Sequence, residues 1–486
     1  MIDRKGQVRD LPEFWNRDPW EPFQNMRSVA LSIWVLMAGF YVSMSWGQSS
    51  KVLPPPCQVE ATKFDGWNAE QMSNEWVRLT LVPQLGGRLM QVTFAGHPYL
   101  FVNPEYEGKD IPPAQGEPLG RWFNYGGDKI WPMPEGRKDE QHWAGPLSGP
   151  LDDGVYKLRV LSQGDRCAVR LVGPPDDRTG LQYTREISLG RNSPQIRFHA
   201  VMKNIAGYPI QWSVQSVTQY DLSDAQHPAQ YNHDFWAFTP ANPHSVYLNQ
   251  FHVRDGLAGD PSFSIKTGLF TLHWLYLQSE VWIDSPGGWV AAVDGSTHYA
   301  MVERFHYDAG GDYPGKATVI FYKNGPVPGF DKQGMPTVPS ANYQDTPYYM
   351  EAEINSPVVA LNPGDTYAMD TEWYPTRMTT NLSGVTYAGA VGEPLIATAA
   401  PNGLRLSGSF GVFFAGRLVA RLFDKQGVNL EVVPVEAVSP LNFVRLNQQI
   451  AAPPATARVS LHLEDDQGRD RGPLGEAWVQ QTGKGS

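Results

Sequence analysis

Beyond residue 57 the apolar residues of this chain recur with a period of two, and no stretch of twelve or more residues carries a 3.6-residue stripe. Side chains two apart share one face of a strand, whereas a helix needs the longer repeat to bury its stripe. Val77, Leu79 and Leu81 alternate with Arg78 and Thr80, and Gly86-Gly87 then turns the chain into Leu89 to Phe94, which predicts a hairpin. Tyr156, Leu158 and Val160 are expected to oppose Cys167, Val169 and Leu171 across the turn Ser162 to Arg166. Ile196, Phe198, Ala200 and Met202 form one face of a strand, and Ile210, Trp212 and Val214 form the next. Glycine (47) and proline (41) punctuate these runs, together about 18% of 486 residues against a usual ~12%. The expected fold class is all-β, and a helical bundle or coiled coil is excluded.

At ~150 residues per domain the length suggests about three domains, or two if one is a large sandwich. From Gly384 to Pro401 the residues turn small and weakly patterned, which reads as a linker or an edge strand. Beyond it, alternating runs at Leu418 to Phe423, Leu430 to Val435, Val444 to Ile450 and Val459 to Leu463 have the rhythm of a small immunoglobulin-like sandwich. The expected division is an amino-terminal segment (1–47), a linker (48–58), a large β-domain (59–383), a second linker (384–402) and a small β-sandwich (403–486).

The window Val29 to Trp46 is eighteen residues without a charge, bounded by Arg27 and Lys51, at the low end of the ~17–25 needed to span a bilayer. Ser45 and Gly47 offer the small residues of a signal-peptidase cut before Gln48. The 27 residues ahead carry five acids and five bases, whereas a start at Met26 would leave the compact lead Met26-Arg27. The readings are a cleaved signal peptide, an uncleaved anchor, or a buried core segment; the first two engage the membrane and place the body in the periplasm or outside the cell. Two cysteines, Cys57 and Cys167, are too few for a disulfide scaffold, and in an exported chain they are candidates for a single bridge. A net charge of −11 repels phosphate backbones, so no nucleic-acid partner is expected. The sequence has no spaced His/Cys set for zinc, no phosphate loop and no Gly-x-Ser-x-Gly elbow, so neither metal nor cofactor is expected.

Four stretches, taken in order, resemble the galactose mutarotase-like (aldose epimerase-like) superfamily. They are VRLTLVPQLGGRLMQVTFAGHPYLFVNP (Val77 to Pro104), WFNYGGDKIWPMPEG (Trp122 to Gly136), LQYTREISLGRNSPQIRFHAVMKN (Leu181 to Asn204) and YYMEAEINSPVVALNPGDTYAMDTEWYP (Tyr348 to Pro375). The stretch Trp122 to Gly136 resembles the signature of an uncharacterised bacterial branch. The resemblance covers about residues 60 to 380 and implies a large antiparallel supersandwich that binds a saccharide in a groove on one sheet. It also implies a carboxylate base for the anomeric hydroxyl and a histidine acid for the ring oxygen. Where the superfamily has Thr-Asn-His, this chain reads Asn204-Ile205 and the histidine is missing. His142, His233, His244 and His252 are the candidate replacements, each also readable as a structural hydrogen-bonder.

Glu351 and Glu353, two apart on a predicted strand, project from one face with Tyr349, and either is a candidate base. A solvated outer face is the other reading. In the Gly126-Gly127 segment, Asn124, Asp128, Lys129 and Trp131 supply hydrogen bonds, a cation and a stacking ring suited to a pyranose. Lys129 would stand in for an arginine of aldose epimerases, and a plain Gly-Gly turn with a salt bridge is the alternative. Gln215 and Gln219 are candidates for the same face, and Arg88 is a candidate for substrate contact or for bracing its turn. The resemblance therefore implies an exported carbohydrate-active protein, a sugar-ring epimerase of aldose 1-epimerase type if it is an enzyme. Alternatives are a non-catalytic glycan-binding or envelope-structural protein, or an accessory module of polysaccharide degradation.

Overall fold

The computed structural model describes residues 56–111, 122–134, 149–333, 335–337 and 346–481. The window 29–46 and His142 lie outside the described residues. Among the described residues there is no α-helix, only a 3-10 turn at Pro314–Lys316, and no helix long and apolar enough to cross a membrane.

Two large antiparallel sheets form the main body. Among the described residues the first has twelve strands, and its main path runs Gln58–Phe64, Trp67–Ser73, Val77–Val82, Arg88–Phe94, Asp128–Met133, Ile210–Asp221, Tyr349–Asn355, Val319–Lys323, Ser279–Ile283, His252–Asp255. The second has ten strands, from Phe263–Lys266 at one edge to Lys157–Ser162 at the other. The predicted hairpin is present, with Leu79 opposite Val92, and Leu158 and Val160 pair with Leu171 and Val169. Strand Ile196–Asn204 lies inside the second sheet between Leu181–Gly190 and Thr366–Arg377. Its residues Ile196, Phe198, Ala200 and Met202 are all buried, the core face that the alternation predicts.

Between the sheets lies one continuous apolar core that includes Leu79, Val92, Val214, Phe270, Phe321 and Trp373. At ~25 cal/mol per Å2 of apolar surface, this burial is the main term favouring the fold. A disulfide joins Cys57 to Cys167 with Cα atoms 5.8 Å apart, closing a loop of 110 residues.

The carboxy-terminal part is a smaller β-sandwich. The stretch read as a linker or edge strand supplies three of its strands, Gly384–Val385, Gly389–Val391 and Ile396–Ala400, and Ala388, Ala390 and Ala397 are fully buried. Small side chains read as weak patterning in the sequence, but they are what a closely packed layer accepts. The sandwich shares a second core with the outward face of the ten-stranded sheet, where Tyr374 stacks on Phe413 at 4.4 Å and Trp289, Ala291 and Val302 belong to the same apolar cluster as Phe410 and Leu418. The ten-stranded sheet is therefore covered on both faces. The outward face of the twelve-stranded sheet carries a cluster of polar residues around the strand Ile210–Asp221.

Candidate functional site

Three neighbouring strands of the twelve-stranded sheet build the site. Ile210–Asp221 is the central one, flanked by Asp128–Met133 and Tyr349–Asn355. Residues directly opposite one another on a ladder project to the same side. Val217 lies opposite both Lys129 and Glu353, Gln215 opposite Trp131 and Asn355, and Gln219 opposite Glu351. One face thus gathers Lys129, Trp131, Gln215, Gln219, Glu351 and Glu353, and the next strand adds Tyr322, opposite Glu351.

The opposite face points to the other sheet. Asp128 belongs there: it forms an ion pair with Arg185 of the ten-stranded sheet, and Thr218 Oγ1 lies 3.4 Å from its Oδ2. The expectation that Asp128 joins Lys129 in a groove is corrected by the pleat. The Gly-Gly segment passes directly into a strand, on which neighbouring residues point to opposite faces.

Gly126 and Gly127 adopt φ of +93° and +76°. A Cβ on Gly126 would come within 2.2 Å of the Phe101 carbonyl oxygen, and one on Gly127 within 2.8 Å of the Leu89 carbonyl oxygen. Only glycine combines that backbone with that approach. Arg88 braces this turn. It is fully buried and donates to the Gly126 carbonyl at 3.0 Å and to Asp152 Oδ1 at 3.1 Å, while Trp131 Nε1 donates to the same Oδ1 at 2.7 Å. Asp152 thereby fixes the indole that underlies Lys129. Asn124 is also buried, accepting from Gly126 N at 3.2 Å and hydrogen-bonding with Tyr349.

Lys129 is only 2% exposed, Glu351 6% and Glu353 8%. The Lys129 Nζ lies 4.0 Å from the centroid of Trp131 and 5.2 Å from that of Trp122, a cation held on indole faces. Among the described residues this Nζ has no hydrogen-bond partner. Burial, reinforced by Arg88, lowers its ammonium to about 8, against the pull of Asp152, Glu351 and Glu353. Burial raises the Glu351 carboxyl above the usual range, with Lys129 and Gln219 opposing the shift. Gln219 Nε2 donates to Glu351 Oε1, and Gln215 Nε2 donates to Glu353 Oε2 at 2.6 Å. Lys129 and the glutamates stand two strands apart, roughly 9–10 Å of sheet.

The sequence-predicted Lys129, Trp131, Gln215, Glu351 and Glu353 thus share one face, Arg88 and Asn124 support it from the turn, and Asp128 does not take part. The sequence reading missed Asp152, Tyr322 and Trp122 as contributors. Trp122 lies inside the Trp122 to Gly136 motif, whereas nothing local in the sequence marks Asp152. Of the histidine candidates, His233 packs on Tyr231 at 4.0 Å and His244 lies in an exposed loop. His252 shares the outward face through Trp282 and Ile320, but it stands three strands beyond Glu353. Among the described residues no group of His, Cys, Asp and Glu gathers as metal ligands.

No protein family's sequence profile matches the chain, and no curated protein matches it. Solved structures do match. A TPR-domain containing protein from Parabacteroides distasonis aligns at 16% identity and a TM-score of 0.40, covering 64% of this chain and 47% of that one, so the match spans less than half of that protein's length. A galactose mutarotase-like protein from Clostridium acetobutylicum aligns at 8% identity and 0.40, covering 66% and 99%. A galactose 1-epimerase from Lactobacillus acidophilus aligns at 11% identity and 0.37, also covering 66% and 99%.

Proposed function

We propose that the chain is an exported carbohydrate-active protein, and that the outward face of its twelve-stranded sheet binds a free aldose and interconverts its anomers. The observation that carries this reading is the convergence of a buried ammonium, Lys129, that has no hydrogen-bond partner among the described residues with two buried carboxylates, Glu351 and Glu353, over one strand. A carboxylate of raised pKa is suited to take the anomeric proton near neutral pH. The Trp131 and Trp122 rings and the glutamine amides supply stacking and hydrogen bonds of the kind sugars use. Export is supported by the uncharged window Val29 to Trp46 and by the Cys57–Cys167 disulfide, a bond that persists in oxidising compartments.

A second reading, a non-catalytic saccharide binder, is favoured by one observation: each glutamate already accepts a glutamine amide, as it would in a fixed recognition surface. Binding of galactose and glucose by ligand-observed NMR, combined with polarimetry of their mutarotation, separates the two. The enzyme reading expects binding and acceleration, with at least about a hundredfold loss of rate in Glu351→Gln. Binding without acceleration selects the binder. If the Glu351→Ala/Glu353→Ala double variant binds sugar as tightly as the parent, this face is not the site.

A further inference from the structure

Opening a sugar ring needs an acid opposite the base, because the ring oxygen must gain a proton as the anomeric hydroxyl loses one. None of His233, His244 and His252 stands beside Glu351. Lys129 stands on the same face as Glu351, two strands away across Ile210–Asp221.

Its state differs from that of the other buried cations nearby. Lys323 donates to Asp260 at 2.7 Å and to Ser262 at 2.5 Å, Arg88 is paired with Asp152, and Arg185 is paired with Asp128. Lys129 has three N–H donors. None finds an acceptor among the described residues, and two indole faces hold the group in place. A buried donor left unmade is costly to a fold, so its retention points to a ligand acceptor that completes it.

We propose that Lys129 is the general acid of this face, giving its proton to the ring oxygen of the aldose while Glu351 removes the proton of the anomeric hydroxyl. The assignment rests on the epimerase reading of the same face. In the opening step the Glu351 carboxylate takes the O1 proton and the freed electron pair forms the carbonyl. The C1–O5 bond breaks with its pair on O5, and that oxygen takes a proton from the Lys129 ammonium. Rotation about C1–C2 presents the other carbonyl face. Reversal of the proton transfers then closes the opposite anomer, leaving both side chains as they began. The burial that brings the ammonium to about 8 makes lysine a competent donor near neutral pH.

The test is the mutarotation of galactose and glucose, followed by polarimetry across pH for the full chain and for K129R, K129M and E351Q, with circular dichroism to check folding. The expected result is a bell-shaped parental profile that falls above about pH 8, with kcat lowered about a hundredfold or more in K129R and K129M and KM changed less than about tenfold. Arginine keeps the charge but does not release its proton, so K129R separates proton donation from charge alone. A K129R variant as fast as the parent overturns the assignment of Lys129 and leaves the epimerase reading standing. A parental protein that never exceeds the buffer rate overturns that reading and the assignment with it. Should K129M fail to fold, K129R and the parental profile decide, and a parental rate flat from about pH 7 to about pH 10 overturns the proposal.

Discussion

The two faces of the twelve-stranded sheet both bury charge, and they handle it differently. On the inner face Asp128 meets Arg185, Lys323 meets Asp260 and Ser262, and Glu303 of the second sheet accepts from Tyr220 at 2.6 Å and Thr218 at 3.2 Å. On the outer face Asp152 joins Arg88 to Trp131, each glutamate takes a glutamine amide, and Lys129 rests on ring faces with no acceptor among the described residues. Buried charge is tolerable when it is paired and hydrogen-bonded. The inner face meets that condition at Asp128 and Lys323, keeps Glu303 protonated below about pH 8, and serves cohesion between the sheets. The outer face falls short of it at Lys129, where a ligand would supply what is missing. Adjacent residues of one strand, Asp128 and Lys129, thus do different work because the pleat turns them apart.

Several substitutions would break or sharpen this contrast. The largest expected effect is on the inner face: Arg185→Met strands Asp128 in the interior and should cost about 3–5 kcal/mol in denaturant unfolding. A loss below about 1 kcal/mol would mean that the inner face is not held by its pairs. Next comes Glu303, whose carboxyl burial pushes up to about 8. The folded chain then holds a proton that the unfolded chain releases above its ordinary value of 4.5. The resulting stability is fully present below that value and is lost as pH rises through about 8. Melting temperature should fall over this range in the parent and stay flatter in Glu303→Gln; parallel curves would contradict the shift. The smallest expected loss is on the outer face, where Lys129→Met removes no hydrogen bond among the described residues and relieves a buried, unmade donor, so the variant should be at least as stable as the parent near pH 7. Because the folded ammonium titrates lower than the unfolded one, the parent should gain on this variant as pH rises from about 8 toward the ordinary lysine value of 10.5. A loss as large as that of Arg185→Met would erase the distinction between the faces.

Much of the fold was legible because strand alternation is a local signal. Ile196 to Met202 bury the face that their spacing predicts, and Val444–Ile450 has the boundaries that its pattern suggests. The Ile396–Ala400 strand was obscured because its alanines carry little hydrophobic contrast. The disulfide was legible only as a candidate, since its partners meet across 110 residues of chain. At the site, Glu351 and Glu353 could be placed on one face by their spacing alone. Asp128 could not, because two glycines suggested a loop where the ladder in fact begins. Asp152 reaches Trp131 and Arg88 from a segment with no periodicity of its own, and such contacts appear only once the sheet is assembled.

The most direct test is to follow the side-chain 15N resonances of lysine-labelled protein while galactose or glucose is added. A ligand-completed ammonium predicts that the Lys129 signal moves with saturation while that of Lys323, satisfied on the inner face by Asp260, stays fixed. A Lys129 signal unchanged at saturating sugar would contradict it.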